Sequence, residues 1–145
     1  MNVLIRTPKA VAIIICGFAV VALAESSPPA PTKTKIYQID AVKLTVSGAG
    51  KIKVSATGSV STGGWTGSQL VPSATHKEKA ENPDAVTLHF DFVATKPTGI
   101  VTTVITPIGA ETTCSAPGAG KTLKVIVHSE TNQKADSIKS PNDPR

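Results

Sequence analysis

Aromatic side chains are scarce in this 145-residue chain: one Trp, one Tyr and three Phe, 3% of the residues. A core must therefore be built mainly from Val, Ile, Leu and Ala. Cysteine is scarcer still, with only Cys16 and Cys114. No stretch shows a sustained helical period with capping residues; at most Lys77-Glu78-Lys79-Ala80-Glu81 suits a single turn. No cofactor-binding fingerprint is present.

One long apolar run does occur, and its position is informative. Met1 to Lys9 carries two positive charges, Arg6 and Lys9, and Ala10 to Ala24 follows with no charged side chain. The run closes on Ala22-Leu23-Ala24. A basic start, an apolar middle and a small-x-small end are the parts of a cleavable secretory signal peptide. Residues 1–24 are read as that signal, cut after Ala24, and the protein as exported, periplasmic or secreted. A spanning helix needs about 20 apolar residues, and this run falls short of that, so no stable membrane span is expected after cleavage. A lipoprotein signal needs a small residue just before its cysteine, whereas Cys16 follows Ile13-Ile14-Ile15.

Cleavage changes the arithmetic. Arg6 and Lys9 leave, so 13 basic residues face 10 acidic ones and the net charge falls from +5 to +3. That charge is spread along the chain rather than clustered on one element, which excludes the basic footprint of a nucleic-acid binder. Cys114 is left alone, so the mature chain can form no internal disulfide. A small exported domain without that staple depends on its core.

Residues 25–34 form a Pro-rich linker. Residues 131–145, with Ile138 as their one large apolar side chain, are expected as a disordered tail. Between them, in 35–130, the period is two. Ile52, Val54, Ala56, Gly58 and Val60 alternate with polar residues, as do Val86, Leu88, Phe90, Phe92 and Ala94, and again Leu123, Val125 and Val127. Such alternation marks half-buried strands. The Ile, Val and Thr run 99–107 is expected as another strand, and Trp65 to Val71 as a short one. In residues 35–46 the early apolar positions are odd (Tyr37, Ile39, Ala41) and the later ones even (Val42, Leu44, Val46), which calls for a bulge or two successive short strands near Asp40–Val42. Ser47-Gly48-Ala49-Gly50 and Lys96-Pro97-Thr98-Gly99 supply turn chemistry. Six or seven short strands of this kind imply an all-β fold, an antiparallel immunoglobulin-like β-sandwich, with a small β-barrel as the alternative.

The segments Thr62-Gly63-Gly64-Trp65-Thr66-Gly67 to Leu70-Val71-Pro72, and Phe90-Asp91-Phe92-Val93-Ala94-Thr95-Lys96-Pro97, resemble those of small exported bacterial β-sandwich proteins of uncharacterised function. The resemblance implies the same fold and compartment, and no active-site residue.

Candidate chemistry is thin. Gly118-Ala119-Gly120-Lys121-Thr122 imitates the end of a phosphate-binding loop, but Ser115 stands where its first glycine belongs. The following Leu-Lys-Val-Ile-Val-His alternates as a strand, where the loop must open a helix, so no nucleotide is expected. His128-Ser129-Glu130 matches half of a zinc-deaminase signature but lacks the Pro-Cys-x-x-Cys partner. No Gly-x-Ser-x-Gly elbow occurs. Cys114, read as lying in a loop, has no neighbouring base to activate it.

Two pairs remain. His89 and Asp91, and His128 and Glu130, each share a strand face at i and i+2. If the two strands were neighbours, these four side chains could hold zinc or copper. His76, in the charged loop 73–84, is read as solvated. Trp65, in a Gly-Gly-Trp-Thr-Gly turn, is either a ligand-contacting aromatic or a lid on a core poor in rings. These residues favour a non-enzymatic binding or accessory domain of the bacterial envelope, its partner another envelope or extracellular protein met through loops 72–84 and 108–120. A metal-binding protein or metalloenzyme and a structural envelope component are the alternatives.

Overall fold

Alternation becomes burial in β3 (Lys51–Val60), where Ile52, Val54, Ala56 and Val60 are sealed from solvent while Lys51 and Thr57 face out. The same holds for Phe90, Phe92 and Ala94 of β5 (Ala85–Thr95) and for Leu123, Val125 and Val127 of β7 (Thr122–His128). The computed structural model describes residues 32–48, 50–76 and 82–140. The signal segment, all but the end of the Pro-rich linker, the expected helical turn at 77–81 and residues 141–145 lie outside them.

Eight strands form among the described residues. The others are β1 (Lys33–Lys35), β2 (Gln38–Val46), β4 (Thr66–Pro72), β6 (Thr106–Ser115) and β8 (Gln133–Lys139). No helix there is long and apolar enough to cross a membrane. The strands make two sheets, β2-β3-β6 and a five-stranded one centred on β5. Residues 85–91 of β5 pair with β7, residues 93–95 with β1, and the opposite edge with β4. The sheets face each other as a β-sandwich around one apolar cluster, and do not close into a barrel. One pairing departs from the antiparallel expectation: β5 and β7 run parallel.

The parity switch lies where the sequence placed it. Register shifts between Ile39 and Ala41, leaving Asp40 unpaired as a bulge, so Ile39 and Leu44 both point into the core. Gly58 lies opposite Ile39, and a Cβ on it would collide with the Gln38 carbonyl oxygen and with Ile36 Cδ1.

Three expectations require correction. Residues 99–105 form no strand; Ile100, Val104 and Ile105 stand exposed in a crossing between the sheets. The strand begins later, as β6, and takes up most of the expected loop 108–120, Cys114 included. Its inward residues are Ile108, Ala110, Thr112 and Cys114, too small and mixed to announce themselves as an apolar face. The expected tail holds β8, which pairs with β7 from Gln133 to Lys139. It docks through polar groups. Asn132 accepts from the Ile39 amide at 2.8 Å and donates to the Ile39 carbonyl at 2.9 Å, and Asp136 accepts from the Leu44 amide at 2.9 Å. These side chains serve backbone groups of β2 that no strand pairs, across the gap between the sheets. At the other margin Ser68 Oγ donates to the Gly109 carbonyl at 2.6 Å.

Two substitutions test this packing. Gly58→Ala is expected to cost about 1–3 kcal/mol in chemical denaturation, the usual range for overpacking. Gly109→Ala, where a Cβ would meet its nearest atom at an ordinary 3.7 Å, is expected to be nearly neutral. Asn132→Ala strands both polar groups of Ile39 and is expected to cost about 1–3 kcal/mol by the same measurement.

Candidate functional site

Parallel pairing of β5 with β7 sets Asp91 opposite His128 and His89 opposite Ile126. Residues of one parity then share the outer face of the larger sheet: His89 and Asp91 of β5, His128 of β7, and Lys35 of β1, which pairs with Val93. Ser73 continues the β4 ladder, its amide donating to the His89 carbonyl at 2.9 Å. From there the chain folds back and lays His76 on this face. The sequence reading of His76 as solvated misses that contact, although the residue is exposed. No local pattern signals it, because it depends on where the strap after β4 turns.

The three imidazoles form one unit. His89 Nδ1 and His128 Nε2 are 2.9 Å apart, with ring centres at 5.2 Å and planes within 14°. That spacing puts both nitrogens between nearly coplanar rings, an edge-to-edge hydrogen bond. One ring must donate an N–H and the other must offer a lone pair. His76 lies face-on to His128 at 4.1 Å. Two imidazolium charges at about 4 Å would repel by about 4 kcal/mol near a protein surface, so the arrangement disfavours charge on both stacked rings at once.

Asp91 governs the charge beside them. Its Oδ1 stands 3.1 Å from Lys35 Nζ, an ion pair lying off the hydrogen-bonding direction, since among the described residues no donor is aligned on that buried oxygen. Its Oδ2 accepts from Ser73 Oγ at 3.2 Å. Ser73 Oγ also lies 3.2 Å from His76 Nδ1. The order is Asp–Ser–His, not the Ser–His–Asp relay of a hydrolase, in which the carboxylate orients the histidine.

The four residues expected as metal ligands are thus partly assembled. His89, Asp91 and His128 share the face, while Glu130 lies beyond the end of β7 in the turn to β8. Among the described residues no three His, Cys, Asp or Glu side chains are arranged to hold a metal ion. The donors are committed elsewhere: two imidazole nitrogens to each other, and the carboxylate to Lys35 and Ser73.

Trp65 is half-buried and packs against the core, as a lid would, with its indole N–H donating to Thr62 Oγ1 at 2.9 Å. It also lines a cleft of about 330 Å³ with Tyr37, Lys35, Lys96 and Glu130, together with Thr34 and Ser61. Trp65 thus packs as the lid reading expects, and its other side faces this cleft. Gly64, at φ +82°, holds the turn against Pro97 and so keeps Trp65 near Lys96. Glu130 is fixed from behind, its amide donating to the Ile36 carbonyl at 2.9 Å, and Thr131 binds the Tyr37 carbonyl through both its amide and its hydroxyl. Lys35 is shared. It lines this cleft and also a shallow depression of about 340 Å³ that includes His76 and His128.

The decoys resolve simply. Gly118 to Gly120 form a turn, with the Lys121 amide bonded to the Gly118 carbonyl, and the chain enters β7 without a helix. Burial pushes the Cys114 thiol up, away from the reactive thiolate, and its Sγ points to the Ile52 carbonyl at 3.6 Å. Comparison with protein families, curated proteins and solved structures finds no match for this chain.

Burial, then the nearby His76 and His89, hold the His128 imidazole below its ordinary value against the opposing pull of Asp91. The unfolded chain takes up this proton near 6.5 and the folded chain only at lower pH, so the stabilisation is complete above that value and is lost on acidification. The Tm is expected to hold steady above about pH 7 and to fall as the pH drops below about 6.5, and His128→Gln to flatten that fall in thermal melts.

Proposed function

We propose that the chain is an exported, non-catalytic binding or accessory domain of the bacterial envelope, and that the cleft around Trp65 is its ligand seat. The observation that carries this reading is the placement of the only tryptophan. It is anchored in the core on one side and lines, on the other, a cleft of about 330 Å³ with a tyrosine, two lysines and a glutamate. A cleft of this size, with two aromatic rings among mainly polar and charged groups, suits a small polar ligand or an inserted side chain. Core packing, the Thr62 hydrogen bond and the ties from Thr131 and Glu130 pre-organise the walls, which lowers the ordering cost of binding. The export reading rests on the N-terminal charge and hydropathy pattern.

Because Trp65 is the sole indole, its emission reports on this one place. Titration with the low-molecular-mass fraction of bacterial envelope material is expected to shift that emission saturably. Lys96→Glu or Tyr37→Ser is expected to weaken the response about tenfold, the equivalent of ~1.4 kcal/mol. Emission that does not move, or a response that both variants leave intact, contradicts the assignment.

A further inference from the structure

We propose that the His76–His89–His128 stack controls the cleft by protonation: acid transfers Asp91 from Lys35 to the imidazoles and releases the Lys35 ammonium into the Trp65 cleft, which then takes up anions carrying an apolar ring. This rests on the reading of that cleft as the ligand seat. The geometry supplies each step. The His89–His128 bond, 2.9 Å between nitrogens, accommodates one shared N–H and has no room for two. Once both rings are protonated neither nitrogen offers a lone pair, so the bond breaks and His128, paired directly opposite Asp91, carries charge with His89. A charge on His76, 4.1 Å from the His128 ring, adds to the same field.

Among the described residues two carboxylates lie near the stack, Asp91 on the sheet face and Glu130 in the turn beyond it. On β1 there is Lys35, on β5 Asp91, on the strap Ser73, and in the turn after β7 Glu130. Val71, opposite Asp91 on β4, and Gln133, opposite His128 on β8, carry no charge. Asp91 is therefore the carboxylate that an imidazolium meets within the sheet face, and Lys35 is the cation that it displaces. Among the described residues Oδ1 of Asp91 is held by that one ion pair and by no aligned hydrogen bond, so the exchange breaks that contact. Lys35 is 38% exposed and already lines the cleft, and the positive stack bars it from the other side. Once there, it joins Lys96 beside Trp65 and Tyr37. Two ammonium groups against Glu130 favour an anion, and the rings favour one with an apolar face.

The test uses the emission of Trp65 and two nitrophenyl probes. 4-Nitrophenyl sulfate keeps its single negative charge from about pH 5 to 8, above the titration of its acid, whereas imidazoles change theirs across that span. 4-Nitrophenyl β-D-glucoside is the neutral counterpart. The sulfate is expected to bind about tenfold more tightly at pH 5.5 than at pH 7.5, and the glucoside equally at both. Asp91→Asn is expected to bind the sulfate tightly already at pH 7.5, an outcome read without acid and therefore independent of any acid loosening of the fold. Lys35→Met is expected to lose the pH response. Sulfate affinity that is the same at both pH values in the unaltered protein, or a pH response that survives in Lys35→Met, overturns the proposal. If the glucoside binds and only the pH response is missing, the cleft remains a ligand seat and the proton control falls. If neither probe moves Trp65 emission, both fall.

Discussion

The unpaired edge of β2 is the constraint on which the rest of the structure depends. A strand at the margin of a sheet presents backbone groups that must find partners when they are shielded from water. Here the partners are side chains. Asn132 reproduces both halves of a strand ladder on Ile39, and Asp136 supplies one acceptor to Leu44. The Asp40 bulge makes this arrangement possible, since it turns Ile39 and Leu44 toward the same side despite their opposite parity. The two sheets are thereby joined along a margin where no continuous ladder runs between them.

That seam also builds the site. Asn132 closes the turn from β7 to β8, its own amide and carbonyl tied to Ser129. The turn in turn pins Glu130 on Ile36 and Thr131 on Tyr37, so the chain crossing from β1 to β2 is held against the end of β7. Lys35, the last residue of β1, reaches Asp91, Tyr37 in the crossing lines the cleft, and His128 stands at the end of the strand that feeds the turn. The aromatic cleft and the histidine stack are adjacent because one polar turn fixes the elements that carry both.

Much of the fold was legible in the sequence, and the reasons differ by strand. β3, β5 and β7 carry large apolar residues at every second position, and burial follows that pattern directly. Ile39, Val42 and Leu44 betray the bulge because a parity change has few other physical causes. β6 and β8 were illegible for the opposite reason. The first faces the core with Ala110, Thr112 and Cys114, and the second docks through Asn132 and Asp136, so neither presents a hydrophobic period. The uncharged run 99–105, with the strongest strand propensity, stays out of both sheets because pairing partners, not propensity, decide strand formation. In the site, His89, Asp91 and His128 were readable as face-sharing residues. His76 was not, since its place is set by a long-range stacking contact. Nor was the commitment of those side chains to one another, which no spacing rule contains.

Amide hydrogen exchange at the β2 edge tests the account most directly. The amides of Ile39 and Leu44 face away from β3, and side-chain acceptors should protect them as well as a strand would. The amide of Val46, on the same side of β2 as Leu44 and with no side-chain acceptor among the described residues, is the internal reference. The account predicts that Ile39 and Leu44 exchange about a hundredfold more slowly than Val46, and that Asn132→Ala brings Ile39 to the Val46 rate while Leu44 stays protected. Exchange at Ile39 and Leu44 as fast as at Val46 would contradict the polar seam.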